Sequence, residues 1–166
     1  MSPLSIQPPS SAPGGATPAH VLRQFRVVFN AVKTHFRQVE QAAGLGGAQV
    51  WALSVIRDQP GIGVKELART LDIKQSTASN LVRALFDRDM VDTVRDGPDR
   101  RTVALHLRDA GAAVLARAPG PFAGVLPGAL NELDAATLAR LETDLGKLIK
   151  LLGADADAGT VPLADL

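Results

Sequence analysis

Gln75, Ser76, Thr77, Ser79, Asn80 and Arg83 gather hydroxyl, amide and guanidinium groups within nine residues, and no Asp or Glu occurs between Ile73 and Phe86. Gln, Asn and Arg can each make two parallel hydrogen bonds to a base edge, so this set suits an element lying in the major groove of a duplex. An ordinary solvated helix face would instead carry Glu and Lys in i,i+4 pairs. Lys74 and Arg95 are counted with the same nucleic-acid-binding set. A second cluster, Asp99-Arg100-Arg101, sets two guanidinium groups side by side. Rigid guanidinium groups suit a narrow minor groove, where the negative potential is strongest. Asp99 would orient a neighbouring arginine through a bidentate pair, or would do no more than stabilise a turn.

Other chemistries lack their residues. The chain contains no Cys, which excludes a thiolate nucleophile, a disulfide framework and a thiolate metal site. There is no pair of carboxylates in an apolar segment, no glycine-rich phosphate loop after a strand and no Ser with a His in a recognisable setting, so no catalytic residue is assigned. His20 and His35 are about 60° apart around a helix and roughly 22 Å apart along it, which denies them a shared ion. No metal and no cofactor are expected, and the chain is not read as an enzyme.

The 166 residues amount to one domain with tails, and 46% hydrophobic against 21% charged residues fits a globular chain. A net charge of +1 carries no implication about partners, but its distribution does. Residues 61–108 hold nine Lys or Arg against seven Asp or Glu, whereas residues 109–166 hold four against eight. Residues 1–18 are uncharged apart from any terminus and contain five Pro, four Ser and two Gly, which predicts a disordered tail. Without a signal peptide or a membrane span the expected location is cytoplasmic, with no membrane partner.

The elements that must position the two clusters follow from periodicity. Leu22, Phe25, Phe29, Val32, Phe36, Val39 and Ala43 recur at spacings of 3 and 4, a heptad stripe on one long helix. Val50, Trp51, Leu53 and Ile56 mark a shorter helix that stops before Pro60-Gly61. Helices over about Val64 to Leu71 and about Gln75 to Arg88 are separated only by Asp72, Ile73 and Lys74, which is helix-turn-helix spacing, and small Ala68 and Ala78 would let them cross closely. Period-two alternation through Met90, Val91 and Val94, turn residues Asp96 to Asp99, then Val103, Leu105 and Leu107 predict a two-stranded hairpin. A helix from Asp109 to Ala118 is interrupted by Pro119, Pro121 and Pro127. Beyond them Asp134 is the expected N-cap of a last helix, with Leu138, Leu141, Leu145, Leu148 and Leu152 on one seam. The segment from Asp155 is expected to be loose.

A helix-turn-helix followed at once by a charged hairpin resembles the MarR family of bacterial transcription regulators. The resemblance covers roughly residues 20–152 and rests on Glu66-Leu67-Ala68, the run IKQSTASNLVRAL from Ile73 to Leu85, Asp99-Arg100-Arg101, and Leu105 to Gly111. It implies a mainly α (α+β) fold, a winged helix-turn-helix with a two-stranded β wing and N- and C-terminal dimerisation helices. The domain would span 19–152, with a reader at about 61–108 and dimerisation helices at about 19–43 and 109–152, between the tail 1–18 and a tail 153–166. The partners implied are double-stranded DNA with a palindromic operator and a second copy of the chain, held through Leu22, Phe25, Leu138, Leu141, Leu145, Leu148 and Leu152. The function implied is that of a homodimeric repressor relieved by a small aromatic or phenolic acid. For that effector Arg23 and Arg26 are the carboxylate partners, and Phe29, His35 and Trp51 the walls. Phe29 and Trp51 also sit on apolar stripes, as core residues would. The rival reading is a winged helix that binds a protein rather than DNA. Departures from the family pattern are Lys74 where a capping Ser or Asp is common, so that the cap moves to Ser76 or is absent, and Asp72 and Asp89 at two turn positions where Gly is frequent.

Overall fold

The heptad stripe of the first segment lies on a single long helix. In the computed structural model, which describes residues 15–94 and 103–165, helix α1 spans Pro18–Ala43. Pro18 sits in the first turn, where its missing N–H goes unnoticed, and Thr17 accepts a hydrogen bond from the His20 N–H. Gly44 closes the helix in the left-handed region at φ 69° and donates its N–H to the Glu40 carbonyl. Of the tail expected over residues 1–18, residues 1–14 lie outside the described residues and Pro18 is already helical.

The remaining elements are α2 (Gly47–Asp58), β1 (Ile62–Gly63), α3 (Val64–Thr70), α4 (Gln75–Asp87), β2 (Val91–Val94), β3 (Ala104–Leu107), α5 (Asp109–Arg117), α6 (Val125–Asn131) and α7 (Ala135–Leu152). The expected two-stranded wing has a third strand: the sheet order is β1-β3-β2, antiparallel throughout, with Ile62 opposite Leu105 and Val91 opposite Leu107. A two-residue strand shows no period of its own, so nothing in the sequence around Ile62 marks it.

Helix α2 is the pillar of the core. Its Val50, Ala52, Leu53 and Ile56 are fully enclosed, packed with Val39 of α1, Leu67 of α3, Leu85 of α4, Val91 and Leu105 of the sheet, and Val114 of α5. Ala68 and Ala78 are both buried where α3 meets α4, the close crossing that small side chains permit. The turn between these two helices puts Asp72 at φ 53°, and the turn after α4 puts Asp89 at φ 59°, so both aspartates occupy the left-handed positions where glycine is frequent. Asp89 also takes an ion pair of 2.6 Å from Arg108, an exposed contact between the end of α4 and the start of α5.

Three elements converge on one helix end. Arg117 of α5 donates to the Ala42 and Ala43 carbonyls at 3.1 Å each, and Arg88, just past α4, donates to the Gly44 carbonyl at 3.3 Å. Carbonyls at a helix C-terminus have no partner within the helix and carry its negative pole, which favours such cations.

Gly111 lets α5 lie directly on the base of the wing. A Cβ there would come within 2.6 Å of the Met90 carbonyl oxygen and 2.7 Å of Leu107 Cδ1. Backbone cannot retreat as a side-chain tip can, so Gly111→Ala is expected to destabilise the fold by about 1–3 kcal/mol, the usual cost of overpacking. A urea midpoint unchanged by the substitution would contradict this close packing.

Pro119 and Pro121 do separate α5 from α7, with α6 between them. Asp134 caps α7 as expected, accepting from the Thr137 N–H at 2.9 Å and from the Thr137 hydroxyl at 2.7 Å. These hydrogen bonds hold the Asp134 carboxyl below the usual carboxylate range. The cap therefore supports α7 above the ordinary carboxylate pKa and is lost as pH falls through the lowered value. The segment after α7 is not loose. It forms two 3-10 turns, Ala156–Thr160 and Leu163–Asp165, and folds back so that Pro162 is buried and Leu163 and Ala164 lie against α1 and α2. A few apolar residues among Asp, Ala and Gly have no periodicity, which is why this packing was not expected.

Candidate functional site

The donor-rich residues all fall on α4 or at its start. The apolar stripe Ala78, Val82 and Leu85 is buried and fixes the rotation of the helix, so Gln75, Ser76, Ser79, Asn80 and Arg83 are exposed on its opposite side, and Thr77 is half-buried. Ser79 turns its hydroxyl back onto the Gln75 carbonyl at 2.9 Å, so it offers less to a partner than Asn80 and Arg83, which make no such bond among those described. Lys74 is the N-cap residue and makes no side-chain cap, and Ser76 lies inside the helix. The first-turn N–H groups of α4 therefore remain uncapped on the side where a phosphate oxygen would be favoured.

The Lys74 ammonium is engaged by the chain itself. It donates to Asp157 Oδ2 at 3.0 Å, across the 83 residues that separate the two. Arg95, Asp99, Arg100 and Arg101 lie outside the described residues, between the ends of β2 and β3. The described strands run antiparallel up to Val94 opposite Ala104.

Between α1, α2 and the α3–α4 turn the chain leaves a cleft with two lobes. One, of about 310 Å³, is bordered by Phe29, Phe36, Lys33, Arg37 and Glu40 of α1 and by Leu163 and Ala164. The other, of about 240 Å³, is bordered by Trp51, Leu71, Ile73, Pro162 and the same Phe36, Leu163 and Ala164, which thus separate the two. Burial and the neighbouring Glu40 carboxylate push the Asp165 carboxyl above its usual range. A docked state that holds the proton more tightly is favoured at low pH, so seating of this segment weakens as pH rises from the ordinary carboxylate value through the raised one.

The sequence-predicted effector residues divide. Phe29 and Trp51 do border the cleft. Arg23 and Arg26 lie exposed nearer the start of α1 and border neither lobe; the cations that do are Lys33 and Arg37, about two and three turns beyond Arg26. His35 is a structural residue in place of a wall: it is buried, edge-on to Phe36 at 5.6 Å, and its Nε2–H is donated to the Pro121 carbonyl at 2.8 Å. Lys33 and Arg37 share a helical face with Arg26, which is the sequence feature that points to them.

The first half of the α1 seam and the whole α7 seam are only partly covered by the chain itself. On α1 the stripe is split: Val32, Phe36, Val39 and Ala43 are buried, while Leu22 and Phe29 are exposed and Phe25 half-buried. On α7 no residue is buried, Leu138 and Leu152 are exposed, and Leu141, Leu145 and Leu148 are half-buried. Among the described residues no helix is long and apolar enough to cross a membrane, and no group of three or more His, Cys, Asp or Glu could hold a metal ion.

Comparison with known proteins agrees with this architecture. The sequence pattern of the MarR family matches residues 43–102, the stretch from the end of α1 to the wing. The HTH-type transcriptional repressor NicR of Pseudomonas putida is 32% identical over 111 residues, which cover 64% of this chain and 70% of NicR. In fold, the chain is similar to MepR of S. aureus, solved as a DNA complex, with a TM-score of 0.53 and 19% identity over 82% of this chain and 96% of MepR. It is likewise similar to BpsR of Bordetella bronchiseptica, solved to explain regulation of its DNA binding by 6-hydroxynicotinic acid, with a TM-score of 0.52 and 24% identity over 84% of this chain and 97% of BpsR. The order helix-turn-helix then wing, the acid-free outer face of α4 and the extent of identity with NicR together make the chain a member of the MarR family, a DNA-binding transcriptional regulator rather than an enzyme.

Proposed function

We propose that the chain acts as a homodimeric repressor. In this reading α4 lies in the major groove of each half of a palindromic operator, and Asn80 and Arg83 read base edges with Gln75, Ser76 and Thr77 beside them. Lys74 and the uncapped start of α4 hold phosphate. Arg95, Arg100 and Arg101 of the wing reach into or along the minor groove, and Asp99 orients an arginine. The observation that carries the reading is the outer face of α4: exposed, rich in donors and without an acid from Ile73 to Phe86. MepR was solved with DNA and NicR is named a repressor, which supports assigning both properties here. Two copies pairing through the uncovered seams of α1 and α7 would space the readers for the two half-sites.

A small aromatic acid is the proposed releasing effector. The regulation of BpsR by 6-hydroxynicotinic acid supports this class. In this chain the ring would lie against Phe29 and Phe36, with Trp51 in the neighbouring lobe, and the carboxylate would meet Lys33 or Arg37 in place of Arg23 or Arg26. A footprint on the DNA flanking the chain's own gene, repeated across a salt series, tests the central assignment. Protection of a two-fold symmetric site whose affinity falls steeply with salt is expected, and a partner bound without salt dependence would overturn it.

A further inference from the structure

The segment after α7 touches the reader and the cleft at once. Gly153 ends α7 in the left-handed conformation, and Asp155 then accepts from the Asp157 N–H at 3.0 Å to start the first 3-10 turn. That turn presents Asp157 to Lys74, the residue just before α4. From there the chain passes through buried Pro162 and sets Leu163 and Ala164 between the two lobes of the cleft. Ala164 fits so closely that a Cβ on Gly47 of α2 would stand 2.9 Å from its own Cβ. Residues 155–165 contain three Asp and no Lys or Arg.

We propose that residues 155–165 form an intramolecular brake on DNA binding, in which Asp157 holds Lys74 away from phosphate while Pro162 to Ala164 occupy the cleft beside the helix-turn-helix. The proposal rests on the reading of α4 as the DNA reader. Its two parts have different strengths. The Lys74–Asp157 pair is exposed on both sides, 52% and 72%, so it is a weak latch that a phosphate can displace. The apolar tip is the anchor, because withdrawing Pro162 and Leu163 exposes apolar surface. An undocked segment returns a cation to the start of α4 and removes carboxylates from the path of the phosphate backbone. Any molecule that takes the place of Leu163 and Ala164 would therefore act on the reader through Asp157.

The test uses the full chain and a mixed-sequence DNA duplex, which responds to phosphate contacts without knowledge of the operator. Asp157→Asn is expected to tighten binding about two- to fivefold and to steepen the slope of log K against log salt by about one unit. In a Lys74→Ala background the same substitution should change neither. Deleting residues 155–166 should increase affinity further and shift Trp51 emission to the red, since Trp51 shares a lobe of the cleft with Pro162 and Leu163. Should the deletion fail to fold, Asp157→Asn still decides, because it leaves buried Pro162 and its neighbours in place. If wild type binds the duplex with normal salt dependence and Asp157→Asn leaves affinity and slope unchanged, the brake is refuted and the DNA assignment stands. If neither wild type nor the Asp157→Asn and deletion variants bind the duplex, both fall together.

Discussion

Asn80→Ala and Arg83→Ala are each expected to weaken binding to the operator by about 1–3 kcal/mol and to relax sequence preference, the cost of losing a bidentate contact with a base edge. Both side chains are exposed on the face of α4 opposite Ala78, Val82 and Leu85, so removing them leaves the core untouched and the loss reports on the partner. Arg100→Ala and Arg101→Ala should behave otherwise. An arginine held by the field of a narrow minor groove contributes to many sequences alike, so its loss should lower affinity broadly and flatten the slope of log K against log salt by roughly one unit. Titrations of the four variants at several salt concentrations separate the two classes. Unchanged affinity and slope in both Arg83→Ala and Arg101→Ala would transfer the winged helix to a protein partner.

Leu138→Asp is expected to turn a dimer into a soluble monomer. The choice of position matters: Leu138 is 42% exposed in the single chain, so a carboxylate there meets water in the monomer and costs little. In a dimer that closes over the seam of α7 the same carboxylate would be buried without a partner, at several kcal/mol per copy. Leu22→Asp, at 50% exposure, applies the same reasoning to α1, whereas Leu145→Asp and Leu148→Asp alter half-buried positions and risk the fold as well. Sedimentation at micromolar concentration reads the result. A wild-type chain that sediments as a monomer would leave both seams without their proposed cover.

The difference between those positions shows where sequence reasoning reaches and where it stops. Periodicity identifies which residues share a face, and it placed the stripes of α1, α4 and α7 and the cap at Asp134. It does not say what covers the face. The stripe of α1 reads evenly from Leu22 to Ala43, yet its second half is buried by α2 and the returning segment while its first half is open. The turn aspartates were legible only through the family resemblance, which has glycine frequent at both positions, and Asp tolerates the left-handed region. By contrast β1 is too short for a pattern, and the contact between Lys74 and Asp157 joins residues 83 apart, with nothing at either position to announce the other. His35 looked available because a lone histidine carries no sign of its partner, which turned out to be the Pro121 carbonyl. Lys33 and Arg37 border the cleft where Arg23 and Arg26 do not, for a related reason: where a cleft opens along a helix depends on what packs against it.

The gathering of Arg117 and Arg88 onto the carbonyls of Ala42, Ala43 and Gly44 makes the end of α1 a pivot. From it the 26 residues of α1 extend about 39 Å, and beyond Val32 the helix has no buried residue toward its start. A tilt of about 5° at the fastened end displaces the far end by about 3 Å. Because Arg88 follows directly on α4, the bearing of this lever is also the mount of the reader. In the proposed dimer, with the far ends of two such levers joined between subunits, a change of a few degrees at either bearing would reset the distance between the two recognition helices against the fixed pitch of DNA.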